Sequence, residues 1–221
     1  MLTCGPAPTG QPELAPELAV SFDQRRANRV LILPALFDEA NKLRRFTVEV
    51  MRLLDAEGID SLLPDLPGCN ESPAPLDCQT ISSWRSAAQA AALHFGATHV
   101  LAIRGGALLA PALPGWRYAA VSGESLLRGL LRARVLASKE AGLAETREGL
   151  LEQGKAQGLD LAGYALGRDM VAELAEATPA DLTDIGQAQL GGAGLWLRAE
   201  PDHDPGQAHA LAQLITQSLG G

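Results

Sequence analysis

The chain of 221 residues is 47% hydrophobic and 20% charged, and its formal net charge is −8. That composition supplies enough apolar surface for one sizeable core, so wholesale disorder is excluded, and the length fits one domain. The acidity, the lack of any Lys/Arg run longer than two and an aromatic content of 4% argue against nucleic acid or an anionic membrane surface as partner.

Residues 1–17 carry Pro6, Pro8, Pro12 and Pro16, which bar a helix, and residues 1–28 are read as an extended or disordered arm. Arg29 to Pro34 is a continuous apolar run, the pattern of a parallel strand buried on both faces. Leu43, Phe46, Val50, Leu53 and Leu54 recur at helical spacing, predicting a helix over 41–57 that Gly58 stops. A second strand is predicted over 59–63, ended by the turn sequence 64–68. After a polar, proline-rich loop, Thr80 or Ser82 caps an alanine-rich helix over 82–95, and Gly96 ends it.

Residues 98–103 read as a third strand, followed by the sharp turn Arg104-Gly105-Gly106. A short helix over 107–113 precedes Pro114, and a fourth strand covers 116–121. This alternation predicts an α/β fold with a mostly parallel sheet and helices on both faces. The pattern then changes. Amphipathic helices over 124–141 and 167–177, separated by a charged, glycine-containing stretch, predict a helical cap insertion over 123–184. A last strand over 194–200 and a closing helix over 205–219 complete a core of 29–122 and 185–221.

Cys4, Cys69 and Cys78 form no C-x-x-C, and His94, His99, His203 and His209 form no ligand cluster, so neither a metal nor a cofactor is expected. The start lacks the order of a signal peptide, and no apolar run approaches the roughly 20 residues of a membrane span. A soluble cytoplasmic protein is expected.

Four stretches resemble the α/β-hydrolase superfamily, and more narrowly the exosortase A system-associated hydrolase 2 type, which is encoded with exopolysaccharide and protein-sorting systems. They are Pro34 to Arg45 (PALFDEANKLRR), Asp65 to Ser72 (DLPGCNES), Arg104 to Leu109 (RGGALL) and the segment ending in Gly163-Tyr164-Ala165-Leu166. The resemblance implies an α/β-hydrolase-like sheet, here shortened at its N-terminus. It also places a G-x-S-x-G nucleophile turn at Ala102 to Gly106. The small residues that such a turn needs are present, but the central residue is Arg104, and a guanidinium is not a nucleophile.

Two readings of Arg104 follow. It could grip a small anionic or acyl-bearing ligand, with Gly105, Glu39, Asn41, Lys42 and Glu200 around it. Or it could close an internal salt bridge to Glu39 or Glu200. Asn41 reads best as a helix cap, and Lys42 and Arg45 as partners of Glu39 or Glu49. The resemblance places a general base near His203 and an acid near Asp181 or Asp184. Cys69 and Ser72 are the candidates for a displaced nucleophile. Ser125 carries only half a motif. Trp84, Trp116 and Tyr164 read as packing residues. Leu126, Leu127, Leu130, Leu131 and Val135 read as the cap's underside, able to line an acyl pocket or contact a partner if partly exposed.

Three functions are therefore in play. One is a degenerate hydrolase-like binder of a ligand or partner. Another is a working esterase or thioesterase with a displaced nucleophile. The third is an assembly protein that forms a homodimer.

Overall fold

In the computed structural model, which describes Leu2–Cys4 and residues 17–220, the chain enters the sheet through an antiparallel pair. These are β1 (Leu2–Cys4) and β2 (Leu18–Phe22), and β2 pairs antiparallel with β4 (Asp60–Pro64). The arm expected over 1–28 is thus corrected at Leu18–Phe22, whose alternate residues are buried as in a strand covered on one face. The tail expected from the prolines of 6–16 lies outside the described residues.

From β4 the sheet continues in parallel through β3 (Arg29–Leu33), β5 (His99–Ile103), β6 (Gly115–Tyr118) and β9 (Thr183–Ile185). The order across its seven described strands is β1-β2-β4-β3-β5-β6-β9, mostly parallel as predicted. Strands β3 and β5 are buried on both sides from their second residue on, which explains why their sequence does not alternate.

Alternate residues of those strands feed two cores. Val30, Ile32, Leu101 and Ile103 face the helices α1 (Asp38–Ala56) and α7 (Pro205–Leu219). Leu31, Leu33, Val100 and Ala102 face α2 (Ile81–Phe95) and the cap. In α1, Leu43, Phe46, Thr47, Val50, Met51 and Leu54 form one buried stripe. Helix α2 starts on a capping box between Thr80 and Ser83 and stops at Gly96 in the left-handed region (φ 66°).

After β6 the chain leaves the sheet through α3 (Gly123–Glu140), α4 (Arg147–Gln157), a hairpin of β7 (Leu159–Leu161) and β8 (Tyr164–Leu166), and α5 (Arg168–Glu176). It returns at β9. Helix α4 lies where the sequence shows only a charged, glycine-containing stretch. It buries just Leu150 and Gly154, so it shows no apolar period. A Cβ at its Gly154 would stand 3.1 Å from a Val171 methyl, a tight contact with α5.

Two predicted elements are replaced. In place of a helix over 107–113 there is a 3-10 turn, Arg104–Leu108, with Pro111 and Pro114 soon after. In place of a strand over 194–200 there is a 3-10 turn, Leu195–Leu197. The short helix α6 (Gln187–Leu190) and the left-handed Gly191 and Gly192 fill the connection from β9 to that turn. No helix among the described residues is long and apolar enough to cross a membrane.

Candidate functional site

Three neighbouring strands end in unusual backbone. Arg104 follows β5 directly with φ 54°, Ala119 follows β6 directly with φ 46°, and Phe37 lies just beyond β3 with φ 57°. None is glycine, and each such residue costs about 1–3 kcal/mol unless its surroundings hold it. The turn at Arg104 is held by close packing. A Cβ on Gly106 would lie 2.5 Å from the Leu33 carbonyl oxygen and 2.6 Å from that of Pro34. One on Gly105 would lie 2.7 Å from Leu126 Cδ1. These glycines let the elbow sink between β3 and α3, as the sequence resemblance requires of such a turn.

The Arg104 side chain does not reach into solvent. Its Nε donates to Glu39 Oε2 at 3.0 Å and its Nη2 to Glu39 Oε1 at 2.8 Å. Its Nη1 donates to the carbonyl oxygen of Ala119 at 2.7 Å. Its Cζ sits 4.0 Å from the Trp196 ring centroid. The two side chains are 13% and 18% exposed. A mostly buried ion pair is tolerated when its geometry is two-pronged and further contacts support it, and here each of the three guanidinium nitrogens makes a hydrogen bond. The positive φ of Ala119 accompanies this contact, since its carbonyl accepts from Arg104 while its amide donates to Ile185 at 2.8 Å.

Of the two readings of Arg104, the internal pair forms, and it forms with Glu39. Glu200 is exposed. Asn41 is exposed in the first turn of α1 and is not its cap, because the helix already begins at Asp38 after Phe37. Lys42 pairs with Asp38 at 2.7 Å rather than with Glu39 or Glu49, and Glu49 pairs with Arg52 at 3.1 Å. Arg45 is exposed.

His203 lies in the loop before α7, without the strand expected ahead of it. The residue of that connection that faces Arg104 is Trp196, because the predicted strand is a turn that brings the indole inward. A Cβ on Gly194 would lie 2.5 Å from that ring, so glycine gives Trp196 its place. His203 Nδ1 is buried with no hydrogen-bond partner among the described residues. Asp181 is exposed, and Asp184 accepts from Arg117 Nε at 3.1 Å.

Beyond β9 the group pointing back to the sheet is the neutral amide of Gln187. The hydroxyl of Tyr118 donates to its Oε1, while its Nε2 donates to Gly191 O at 3.0 Å and to Gln207 Oε1 at 3.2 Å. Burial pushes the Tyr118 phenol up, so it stays a donor.

The displaced-nucleophile candidates have other tasks. Burial, with Asp65 and Glu17 adding, pushes the Cys69 thiol up to about 12, the reverse of what a nucleophile needs. Ser72 Oγ donates to Glu17 Oε1 at 2.9 Å and accepts from the amides of Gly68 at 2.8 Å and Ala74 at 3.2 Å, which pins a turn. Ser125 belongs to the Ser122 cap of α3.

Aromatic rings close the opposite side. The Phe37 ring lies 5.9 Å from Trp84 and 5.4 Å from Tyr164, and Trp84 Nε1 donates to Pro67 O at 2.8 Å. Trp116 stacks on His99 at 5.6 Å. Sequence reasoning missed Trp196, Gln187 and the Ala119 carbonyl. The only available signal was the run Gly191 to Gly194 ahead of a tryptophan.

No family model matches the chain, and no curated protein matches it. Solved structures do. The ferulic acid complex of Est1E from Butyrivibrio proteoclasticus is 14% identical, with 92% of this chain and 94% of that one covered and a TM-score of 0.57. The alpha/beta hydrolase domain-containing protein 10 from mouse is 12% identical, with 100% and 98% covered and a TM-score of 0.55. Together with the strand order, these likenesses show that the chain has the α/β-hydrolase fold.

Proposed function

We propose that this chain is a non-catalytic α/β-hydrolase-fold protein, a binder of a ligand or partner in an exopolysaccharide or exosortase-linked system. The setting rests on the resemblance of its four sequence stretches. The lack of catalysis rests on one observation: at the nucleophile position stands an arginine whose guanidinium is engaged by Glu39, Ala119 and Trp196. Both supports of serine chemistry are then missing. There is no hydroxyl at the elbow, and an indole faces it where an imidazole would be needed.

The same engagement weakens the case for an anion gripped by Arg104, because Glu39 already neutralises the cation with both oxygens. The cap supports an acyl-bearing ligand better. Leu127, Leu131, Leu151 and Ala175 line a groove of about 240 Å³ on the cap together with Arg128 and Arg147, which are paired with Glu124 and Glu148. An apolar tail with a polar head fits that lining.

A panel of p-nitrophenyl esters and thioesters tests the reading. The expected result is no turnover above buffer. Turnover that is lost in Ser72→Ala, Cys69→Ala or His203→Ala would overturn it in favour of an esterase with a displaced nucleophile.

A further inference from the structure

On the antiparallel side of the sheet, two carboxyl side chains are buried next to each other. Glu17 directly precedes β2 and is 7% exposed; Asp65 directly follows β4 and is 6% exposed. The strands bring them together, since the Asp65 amide donates to Leu18 O at 2.8 Å. Their surroundings differ. Asp65 Oδ1 accepts from Asn70 Nδ2 at 2.7 Å and from Arg44 Nη1 of α1 at 3.3 Å, so an amide and a cation both reach it. Among the described residues Glu17 has one donor, the Ser72 hydroxyl on Oε1. Its Oε2 is buried with no hydrogen-bond partner among the described residues. A charge on Glu17 would therefore be buried, half-solvated by the protein and beside a second negative charge.

We propose that Glu17 is a proton-operated clasp: protonated, it fastens the loop over 65–72 to the edge of the sheet, and ionised, it lets that loop go. Among the described residues the groups facing the clasp are these: Asp65 disfavours ionisation of Glu17, the Cys69 thiol supplies no cation, Arg44 pairs with Asp65, and Ser72 donates to Glu17. Burial pushes the Glu17 carboxyl above its usual range, the Ser72 hydrogen bond opposes this, and Asp65 adds to it.

The sign follows. The folded form binds the proton more tightly than the unfolded chain does. The clasp's contribution is complete below the ordinary glutamate range and is lost as pH rises through the raised value. Release reaches the cap, because the same loop runs on to Asp77, whose carbonyl oxygen would lie 2.2 Å from a Cβ on Gly167 at the end of β8. Acidification thus tightens the loop and the footing of the hairpin.

Amide hydrogen exchange of the full chain, with rates normalised for the chemical effect of pH, tests this. In the wild type, opening of peptides over 65–72 should rise by up to tenfold per pH unit above the ordinary glutamate value and then level off. Glu17→Gln, which keeps an acceptor for Ser72 but cannot ionise, should be flat and protected throughout. A flat wild type, or an unchanged slope in Glu17→Gln, would overturn the proposal. Ser72→Ala gives an independent check should Glu17→Gln fail to fold. Removing the donor raises the Glu17 carboxyl further, so the opening midpoint should move to higher pH, and movement to lower pH would contradict the clasp.

Discussion

Arg104 and Glu39 meet end to end across the carboxyl edge of the sheet, both nitrogens of one fork on both oxygens of the other. Arg104 comes from the tight turn after β5 and Glu39 from the first turn of α1, so the pair joins two elements 65 residues apart in sequence. A pair this enclosed is best understood as a joint. Its Coulomb attraction is set against the cost of taking two charges from water, and the added Ala119 and Trp196 contacts support the arrangement.

Removing one partner should therefore cost more than removing both. Arg104→Leu and Glu39→Leu each strand a charge and should lower stability by about 3 kcal/mol. The double change Arg104→Leu with Glu39→Leu should recover a large part of that loss. Urea unfolding of the four proteins gives the coupling directly.

Trp196 should matter through its face. Trp196→Ala removes the ring over the guanidinium and its edge contact with Tyr118, whose centroid lies 6.0 Å away. The expected loss is about 2 kcal/mol, whereas Trp196→Phe, which keeps a ring face, should lose about 1 kcal/mol or less. Gly194→Ala, whose new Cβ would meet the indole, should behave like a mild form of Trp196→Ala. Thermal unfolding ranks the three.

The elbow should tolerate no side chain at Gly106. Its Cβ would meet two backbone carbonyl oxygens, which cannot rotate away. Gly106→Ala should cost about 1–3 kcal/mol or abolish soluble expression. Gly58, by contrast, lies in the left-handed region but in open space, so Gly58→Ala should cost only about 1 kcal/mol.

Cysteine reactivity follows from the thiol at Cys69. With its titration pushed up to about 12, only about one molecule in 10,000 is thiolate at pH 8. Peptide mapping after brief iodoacetamide treatment should find the exposed Cys78 alkylated and Cys69 spared until the protein is unfolded. Fast labelling of Cys69 would reopen it as a nucleophile.

Much of this fold was legible because its strongest elements carry strong patterns. The runs of β3 and β5 are apolar without alternation, and α1 and α7 repeat at helical spacing. Helix α4 was not legible because it buries one leucine and a glycine, and β9 because two of its three residues are exposed. At the site, Arg104 and Glu39 could be named from sequence, since the small residues around the turn and the first turn of α1 place them at one edge. Trp196 was misplaced. Leu195-Trp196-Leu197 alternates like nothing but an apolar run, and only the glycines before it, two of them left-handed, turn it into a loop that feeds an indole inward. The Ala119 carbonyl carries no sequence signal at all, because every residue has one.

The most direct test of the central claim is the guanidinium itself. Nitrogen-15 NMR of Arg104 at neutral pH should show an Nε–H and slowed Nη–H groups protected from solvent exchange, unmoved by added phosphate or short-chain carboxylates, and released in Glu39→Gln. Arg104 signals that exchange as fast as those of a surface arginine, and that shift on addition of such an anion in the wild type, would contradict a closed joint and restore an open anion site at the elbow.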